Sequence, residues 1–70
     1  MILKSNIALI REQKNITQQE LSDRTGIVIS SISEYENDRT IPNSFTLWKI
    51  AIALDCQVDE LYVVVENSIP

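Results

Sequence analysis

Apolar residues recur at helical spacing along most of this chain, and the pattern predicts five short helices. Leu3, Ile7 and Ile10 repeat every three or four residues, which predicts a first helix over residues 5–14. Asn15 can close that helix, because Asn tolerates the left-handed backbone conformation that follows many helices.

A capping box and a glycine mark the limits of the second predicted helix. Thr17 and Glu20 are three residues apart, so the Thr17 hydroxyl can accept from the backbone while Glu20 reaches back. The helix carries Leu21 inward and stops at Gly26, which is the only glycine in the chain.

Two further helices follow from the same spacing. A third helix is predicted over residues 28–37, with Ile32 and Tyr35 one turn apart on one face. A fourth begins after an Asn43 cap and runs to Leu54. Its predicted inner stripe consists of four apolar residues: Leu47, Ile50, Ala51 and Leu54.

The end of the chain allows two interpretations. A short fifth helix over residues 58–62 presents Leu61 to the core, and residues 63–70 form a tail. The aliphatic segment Tyr62–Val65 together with Ile69 is a candidate dimerisation element. The alternative is a strand or helix extension that only caps the core. Only this stretch has strand-like composition.

The charge balance changes the picture, because it is acidic overall but uneven. Six basic and ten acidic residues give a net charge of −4. All six basic residues lie in residues 1–49, where six acids balance them, whereas residues 50–70 hold four acids and no base. Acidity at one end therefore leaves the rest of the chain able to meet an anionic partner.

Composition excludes several classes of function. The chain has no His and one cysteine, Cys56, so it lacks an imidazole base, the usual zinc ligand sets and an internal disulfide. We expect no enzyme, no metal and no cofactor. The longest apolar runs, residues 50–54 and 62–65, are far shorter than the ~20 residues that span a bilayer. No secretory signal is present, so we expect a cytoplasmic protein.

The most informative stretch is residues 18–37, which predicts two helices joined by a tight turn. Ser22 lies four residues before Gly26, where a small side chain lets two helices cross closely. Four larger side chains are expected to hold the pair on the core: Leu21, Ile27, Ile32 and Tyr35. The outward face of the second of these helices is left with Ile29, Ser30, Ser33 and Glu34.

With these residues the chain resembles the lambdoid phage repressor and Cro family, also called the xenobiotic-response-element family of bacterial and phage regulators. The resemblance covers residues 7–61, and its most specific segments are ITQQEL at residues 16–21 and ISEYEN at residues 32–37. It implies an all-α fold, a compact five-helix lambda-repressor-like DNA-binding domain over residues 1–62. Helices 2 and 3 would form the helix-turn-helix, and residues 63–70 the tail.

The resemblance also implies a function. The chain would bind double-stranded DNA sequence-specifically as a transcriptional regulator, with repression as the favoured output and helix 3 in the major groove. It would act as a homodimer on a palindromic site whose half-sites lie roughly 34 Å apart.

Site residues follow from the matching positions. Ile29, Ser30, Ser33 and Glu34 would contact bases, since an aliphatic group packs on a thymine methyl, Ser bonds either base type and Glu accepts from cytosine N4. Arg11 and Glu36 would form a buried ion pair. The expected phosphate contacts are Thr17, Gln18, Ser31, Asn37, Arg39 and Thr40. For Thr17 the alternative is a helix cap alone, and for Ile29 a contact with a partner protein.

Departures from the family pattern leave alternatives open. Val28 stands where the third helix usually has a polar cap, so that helix would start either there or later, with Ser31 and Glu34 as its capping box. The recognition helix also has no Lys or Arg, which predicts a small dependence of DNA affinity on salt. A second hypothesis is therefore a protein-interaction or antitoxin-like module that binds a protein partner through Val28, Ile29 and the acidic end.

Overall fold

The computed structural model describes residues 2–66, which form four α-helices, one 3-10 turn and a two-stranded sheet around one core. The strands are β1 (Ile2–Ser5) and β2 (Tyr62–Val65). The helices are α1 (Ile7–Gln13), α2 (Gln18–Thr25), α3 (Ile29–Glu36) and α4 (Ser44–Leu54), and the 3-10 turn is Val58–Glu60.

The predicted limits of α2 are confirmed. Thr17 Oγ1 accepts from the Glu20 backbone N–H at 3.0 Å, and the Thr17 N–H donates to Glu20 Oε1 at 2.9 Å. The hydrogen bond from the Thr17 N–H to the carboxylate, aided by the Thr17 hydroxyl, lowers the pKa of Glu20 below its ordinary value of 4.5. The helix ends where Gly26 turns the chain with a φ of 76°, a conformation that glycine adopts without steric cost.

The start of α3 decides between the two alternatives. Ile29 is its first residue, and Val28 occupies the N-cap position without a side-chain hydrogen bond. The later start at Ser31 is wrong, so the side chains of Ile29 and Ser30 belong to the helix. Asn37 closes the other end, donating from Nδ2 to the Ser33 carbonyl at 2.8 Å.

The N-terminal residues depart from the prediction. Residues 2–5 form β1 instead of continuing α1, so the all-α, five-helix description is wrong at this end of the molecule. β1 pairs antiparallel with β2, with Ile2 opposite Val65 and Ser5 opposite Tyr62. The Ser5 N–H also donates to Asp38 Oδ1 at 2.8 Å. The helical spacing of Leu3 is overridden because the β-branched segment at the other end of the chain supplies a strand partner.

The C-terminal part forms a 3-10 turn and a strand in place of the predicted fifth helix. The predicted fifth helix is the 3-10 turn Val58–Glu60, followed by the fully buried Leu61. β2 pairs with β1 within the chain, so residues 62–65 form a strand extension, and their role in dimerisation stays a prediction. Ile69, the last residue of the candidate dimerisation element, lies outside the described residues.

The hydrophobic core lies between the helices and contains side chains from the predicted inner stripes. Its buried members are Ile7, Ile10, Ile16, Leu21, Ile32, Ile50, Ala51, Leu54 and Leu61. Three polar residues with positive φ turn the chain around it: Asn15, Asp38 and Asp55. Asn and Asp tolerate this left-handed conformation better than other non-glycine residues do, so these turns need no further glycine.

Candidate nucleic-acid interface

An ion pair between α1 and α3 fixes the orientation of the candidate site. Arg11 Nε donates to Glu36 Oε2 at 2.7 Å and Arg11 Nη2 to Glu36 Oε1 at 3.3 Å. The two side chains are only 11% and 6% exposed. Arg11 Nη1 donates to the Ile16 carbonyl at 2.8 Å, and the hydrogen bonds to Glu36 raise the pKa of Arg11. One guanidinium therefore ties α1, the approach to α2 and the end of α3 together.

Gln18 joins the same network, which the sequence analysis did not foresee. Its Nε2 donates to Glu36 Oε1 at 2.9 Å, and the residue is half-buried. This hydrogen bond places the start of α2 beside the end of α3. The side chain of Gln18, predicted to contact phosphate, thus links α2 to α3 in the free protein.

The outer face of α3 carries the predicted base-contacting residues. Ser30 and Glu34 are exposed, and Ile29 is 37% exposed. Ser33 is half-buried, and its Oγ lies 3.4 Å from Asn37 Nδ2. The face therefore presents a hydroxyl, a carboxylate and an aliphatic group on a helix whose opposite side is held by the fully buried Ile32.

The predicted phosphate contacts lie at the start of α2, within α3 and in the turn that follows α3. Thr17 is exposed at the start of α2, where the first backbone N–H groups of a helix have no helical acceptor. Arg39 and Thr40 are exposed in the turn after α3, and the Arg39 N–H donates to the Glu34 carbonyl at 2.9 Å. Ser31 is half-buried, and the Asn37 side chain is engaged with Ser33.

The uncompensated negative charge of α3 is smaller than its two glutamates indicate. Of its two carboxylates, Glu36 is compensated by Arg11, so Glu34 is the exposed acid of this helix. Arg39 follows closely in the chain and is exposed. The surface is nearly neutral, which lowers the repulsion from a polyanion without supplying a strong attraction.

A second exposed surface was not singled out by the sequence analysis. Phe45, Trp48 and Ile52 point outward from α4 at 71%, 60% and 74% exposure; we call these three residues the α4 face. The available signal was the composition of α4, since eight of its eleven residues are apolar. That is more than the single inner stripe of a surface helix requires.

A membrane-spanning helix and a metal cluster are both absent from the described residues. Within residues 2–66 no helix is long and apolar enough to cross a membrane. In the same part of the chain no cluster of Cys, Asp and Glu side chains is arranged to hold a metal ion.

Comparison with known sequences gives consistent matches. A family model described as helix-turn-helix matches residues 7–61. The cryptic phage CTXphi transcriptional repressor RstR of Vibrio cholerae is 38% identical over 61 residues, which are 87% of this chain and 54% of that protein. The chain thus spans about half the length of that relative. An SPbeta prophage-derived uncharacterized HTH-type transcriptional regulator, YopS of Bacillus subtilis, is 43% identical over 51 residues, 71% of this chain and 69% of that protein.

A solved structure shares the arrangement. The crystal structure of the P22 c2 repressor protein in complex with the synthetic operator 9T superposes with a TM-score of 0.74 at 32% sequence identity. The match covers 80% of this chain and 85% of that one. The fold of the matched part is therefore common to the two proteins.

Proposed function

The chain belongs to the helix-turn-helix family whose model matches residues 7–61, and from this premise we propose that it is a regulator of transcription that binds double-stranded DNA. α3 enters the major groove, and repression is the output. The observation that carries the proposal is the outer face of α3. Its exposed hydrogen-bonding side chains stand on a helix anchored by a nearly buried ion pair.

Base contacts in this proposal come from four side chains of α3. Ser30 donates to or accepts from a base edge, Glu34 accepts from cytosine N4, and Ile29 packs on a thymine methyl. Ser33 contributes from the half-buried edge of the face. The anchoring of α3 matters because a helix that rocks in the groove cannot hold short side chains such as Ser against one base.

Phosphate contacts in this proposal come from the flanks. At the start of α2 the Gln18 backbone N–H and the Thr17 hydroxyl proton donate to a phosphate, which the helix dipole also attracts. The Thr17 N–H takes no part, because it donates to Glu20 Oε1. Arg39 supplies the cation, assisted by Thr40. The remaining contacts are assigned to Ser31 and Asn37. With so few cations, the slope of log affinity against log salt is small, because each neutralised phosphate contributes about 0.9 to it.

The active form in this proposal is a homodimer on a palindromic site. Two copies of α3 enter successive major grooves, and the half-sites lie roughly 34 Å apart. The family relation to phage and prophage regulators supports this geometry, since the P22 c2 repressor match is a protein bound to an operator.

Titration of DNA from the chain's own operon tests the proposal. Wild type should bind with an affinity that falls as salt rises, and Ser30→Ala should weaken binding about tenfold through one lost base contact. Ser44→Ala is the matched control, since Ser44 is an exposed serine at the start of α4. Absence of binding above background at low salt, to that DNA and to a randomised pool, would rule the regulator out.

One observation supports a second candidate, the protein-interaction module. Val28 is 62% exposed beside the partly exposed Ile29, so the start of α3 carries a small apolar patch. In this alternative a protein encoded next to the chain's gene binds the patch, and Ile29→Asp abolishes the complex. Copurification of that neighbour with wild type but not with Ile29→Asp, without DNA binding, would favour this candidate.

A further inference from the structure

We propose that the α4 face is the self-association surface of the chain, on which a second copy docks with its own α4 antiparallel. In this arrangement Phe45 of each copy is seated in a cavity of the other. The inference deepens the proposed homodimer and rests on the proposed function for its purpose, although the surface itself is defined by the structure alone.

The α4 face is large and apolar for so small a protein. Phe45, Trp48 and Ile52 follow one another at i, i+3 and i+7 and are each at least 60% exposed. Together they leave on the order of 500 Å² of apolar surface in water, within the size of patches that mark interaction sites. A stable dimer buries about 800 Å² per partner, so the α4 face would form the apolar centre of such an interface and not all of it.

A cavity of about 470 Å³ continues the α4 face toward the end of α4. Its apolar lining includes Trp48, Ile52, Cys56 and Val58, and the exposed Asp59 also borders it. Phe45 stands at the opposite end of the face, 71% exposed. One surface thus holds a protruding ring and a recess with apolar walls. An interface in which residue i contacts j while j contacts i needs such self-complementarity.

The charges on this surface favour the antiparallel pairing. Lys49 Nζ lies 5.3 Å from the centroid of the Phe45 ring, so the cation accompanies the ring. When Phe45 enters the partner's cavity, Lys49 approaches Asp59 of the partner subunit, which borders that cavity, and symmetry produces the pair twice. A parallel arrangement would bring together two copies of a segment, residues 50–70, that holds four acids and no base. A second copy of the same surface therefore supplies the opposite charges.

The β1–β2 ribbon is the competing surface and supplies the control. Its strands are paired with each other within the chain, whereas the α4 face is covered by nothing in the described residues. Val64 is 57% exposed on β2 and therefore serves as an equally accessible apolar position outside the proposed interface.

Sedimentation equilibrium without DNA tests the proposal directly. Wild type should show a concentration-dependent monomer–dimer equilibrium, and Ile52→Glu should raise the dissociation constant about 30-fold or more, as at an interface hot spot. Val64→Glu should change it less than about threefold. Phe45→Glu is the second disruptive variant, and circular dichroism confirms that each variant is folded. A wild type that stays monomeric, or a Val64→Glu as disruptive as Ile52→Glu, overturns the proposal.

A charge exchange tests the antiparallel geometry. Lys49→Asp and Asp59→Lys should each weaken the dimer several-fold, and the double variant should recover most of the loss, because each acid then faces a base again. Trp48, the only tryptophan of the chain, reports the same event, since its emission should shift to the blue as dimers form. A double variant weaker than both single variants contradicts the antiparallel geometry.

Binding to a duplex that carries one half-site separates the two proposals. Ile52→Glu should bind this duplex like wild type if α3 binds DNA and α4 only dimerises. If wild type dimerises through α4 but binds no DNA, the inference stands and the proposed function is wrong. If the chain binds DNA but Ile52→Glu leaves its self-association unchanged, the proposed function stands and the inference is wrong.

Discussion

α3 and α4 both cover one small core, yet they show opposite faces to water. α3 presents short polar side chains, whereas α4 presents Phe45, Trp48 and Ile52. Their inward sides are alike, since Ile32 on α3 and Ile50 and Leu54 on α4 are all buried. In the two proposals above, the outer faces carry the difference in function, because polar groups suit the edges of bases and large apolar groups suit another protein surface.

The two helices also differ in how they are fastened. Beyond Ile32, α3 depends on a polar network in which Glu36 accepts from Arg11 and Gln18. α4 depends on a broad apolar contact through Ile50, Ala51 and Leu54. A helix with a polar outer face makes fewer apolar contacts than a helix that is apolar all round. Directional hydrogen bonds therefore complete the positioning of α3.

The largest expected effect comes from breaking the polar fastening of α3. Arg11→Ala leaves Glu36 as an uncompensated charge that is 6% exposed, so we expect a loss of about 3–5 kcal/mol in the free energy of unfolding, measured by urea denaturation. Arg11→Met combined with Glu36→Met removes both charges and should recover most of the loss. A loss below about 1 kcal/mol for Arg11→Ala would mean that the ion pair does not hold α3.

Two positions on α4 sharpen the contrast between its faces. Leu54→Ala creates a cavity at a fully buried site and should cost about 2–5 kcal/mol. Ile52→Ala, two residues away and 74% exposed, should change the stability of the monomer by less than about 0.5 kcal/mol. The measurement is urea denaturation at concentrations low enough to keep the chain monomeric. Equal losses at the two positions would contradict the assignment of the faces.

The caps of the two helices should respond in opposite directions. Val28 gives α3 no side-chain cap, whereas Asn43 Oδ1 accepts from the Thr46 N–H at 2.8 Å at the start of α4. We expect Val28→Ser to stabilise the protein by up to about 1 kcal/mol and Asn43→Ala to destabilise it by about 1 kcal/mol. Thermal denaturation of both variants checks this. A destabilising Val28→Ser would show that Val28 contributes more by packing than a cap would.

The smallest expected effect is a loss of stability at acidic pH. The folded pKa of Glu20 lies below its ordinary 4.5, so its stabilising contribution is complete above that pH and is lost as the pH falls through the folded pKa. α2, and through it α3, carries this sensitivity, whereas the Asn43 cap of α4 is neutral. Melting temperatures should fall less on acidification in Glu20→Gln than in wild type. Identical pH profiles would show that the Glu20 capping bond is not formed in solution.

Local signals were sufficient for much of the fold. Thr17, Glu20 and Gly26 fix the limits of α2 within a few residues of one another, so the sequence window contains all the necessary information. The inner stripe of α4 was visible for the same reason. Asn15 was predicted to close α1 in the left-handed conformation, and its φ is 58°.

Features that depend on contacts between distant parts of the chain could not be predicted from local sequence patterns. β1 forms because residues 62–65 pair with it, and nothing within residues 2–5 distinguishes a strand from the first turn of a helix. The Gln18–Glu36 hydrogen bond joins residues 18 positions apart and depends on how α2 crosses α3. Periodicity predicted the buried side of α4, but its exposed Trp48 became informative only once its surroundings were known.

Selection of binding sites from a randomised duplex pool tests the central claim most directly, because it reports on α3 and on the dimer together. Wild type should enrich a palindrome whose half-sites repeat about 10 base pairs apart, and Ser30→Ala should relax the preference at one position of each half-site. Ser44→Ala should enrich the same sites as wild type. Failure to enrich any sequence at low salt would contradict the account.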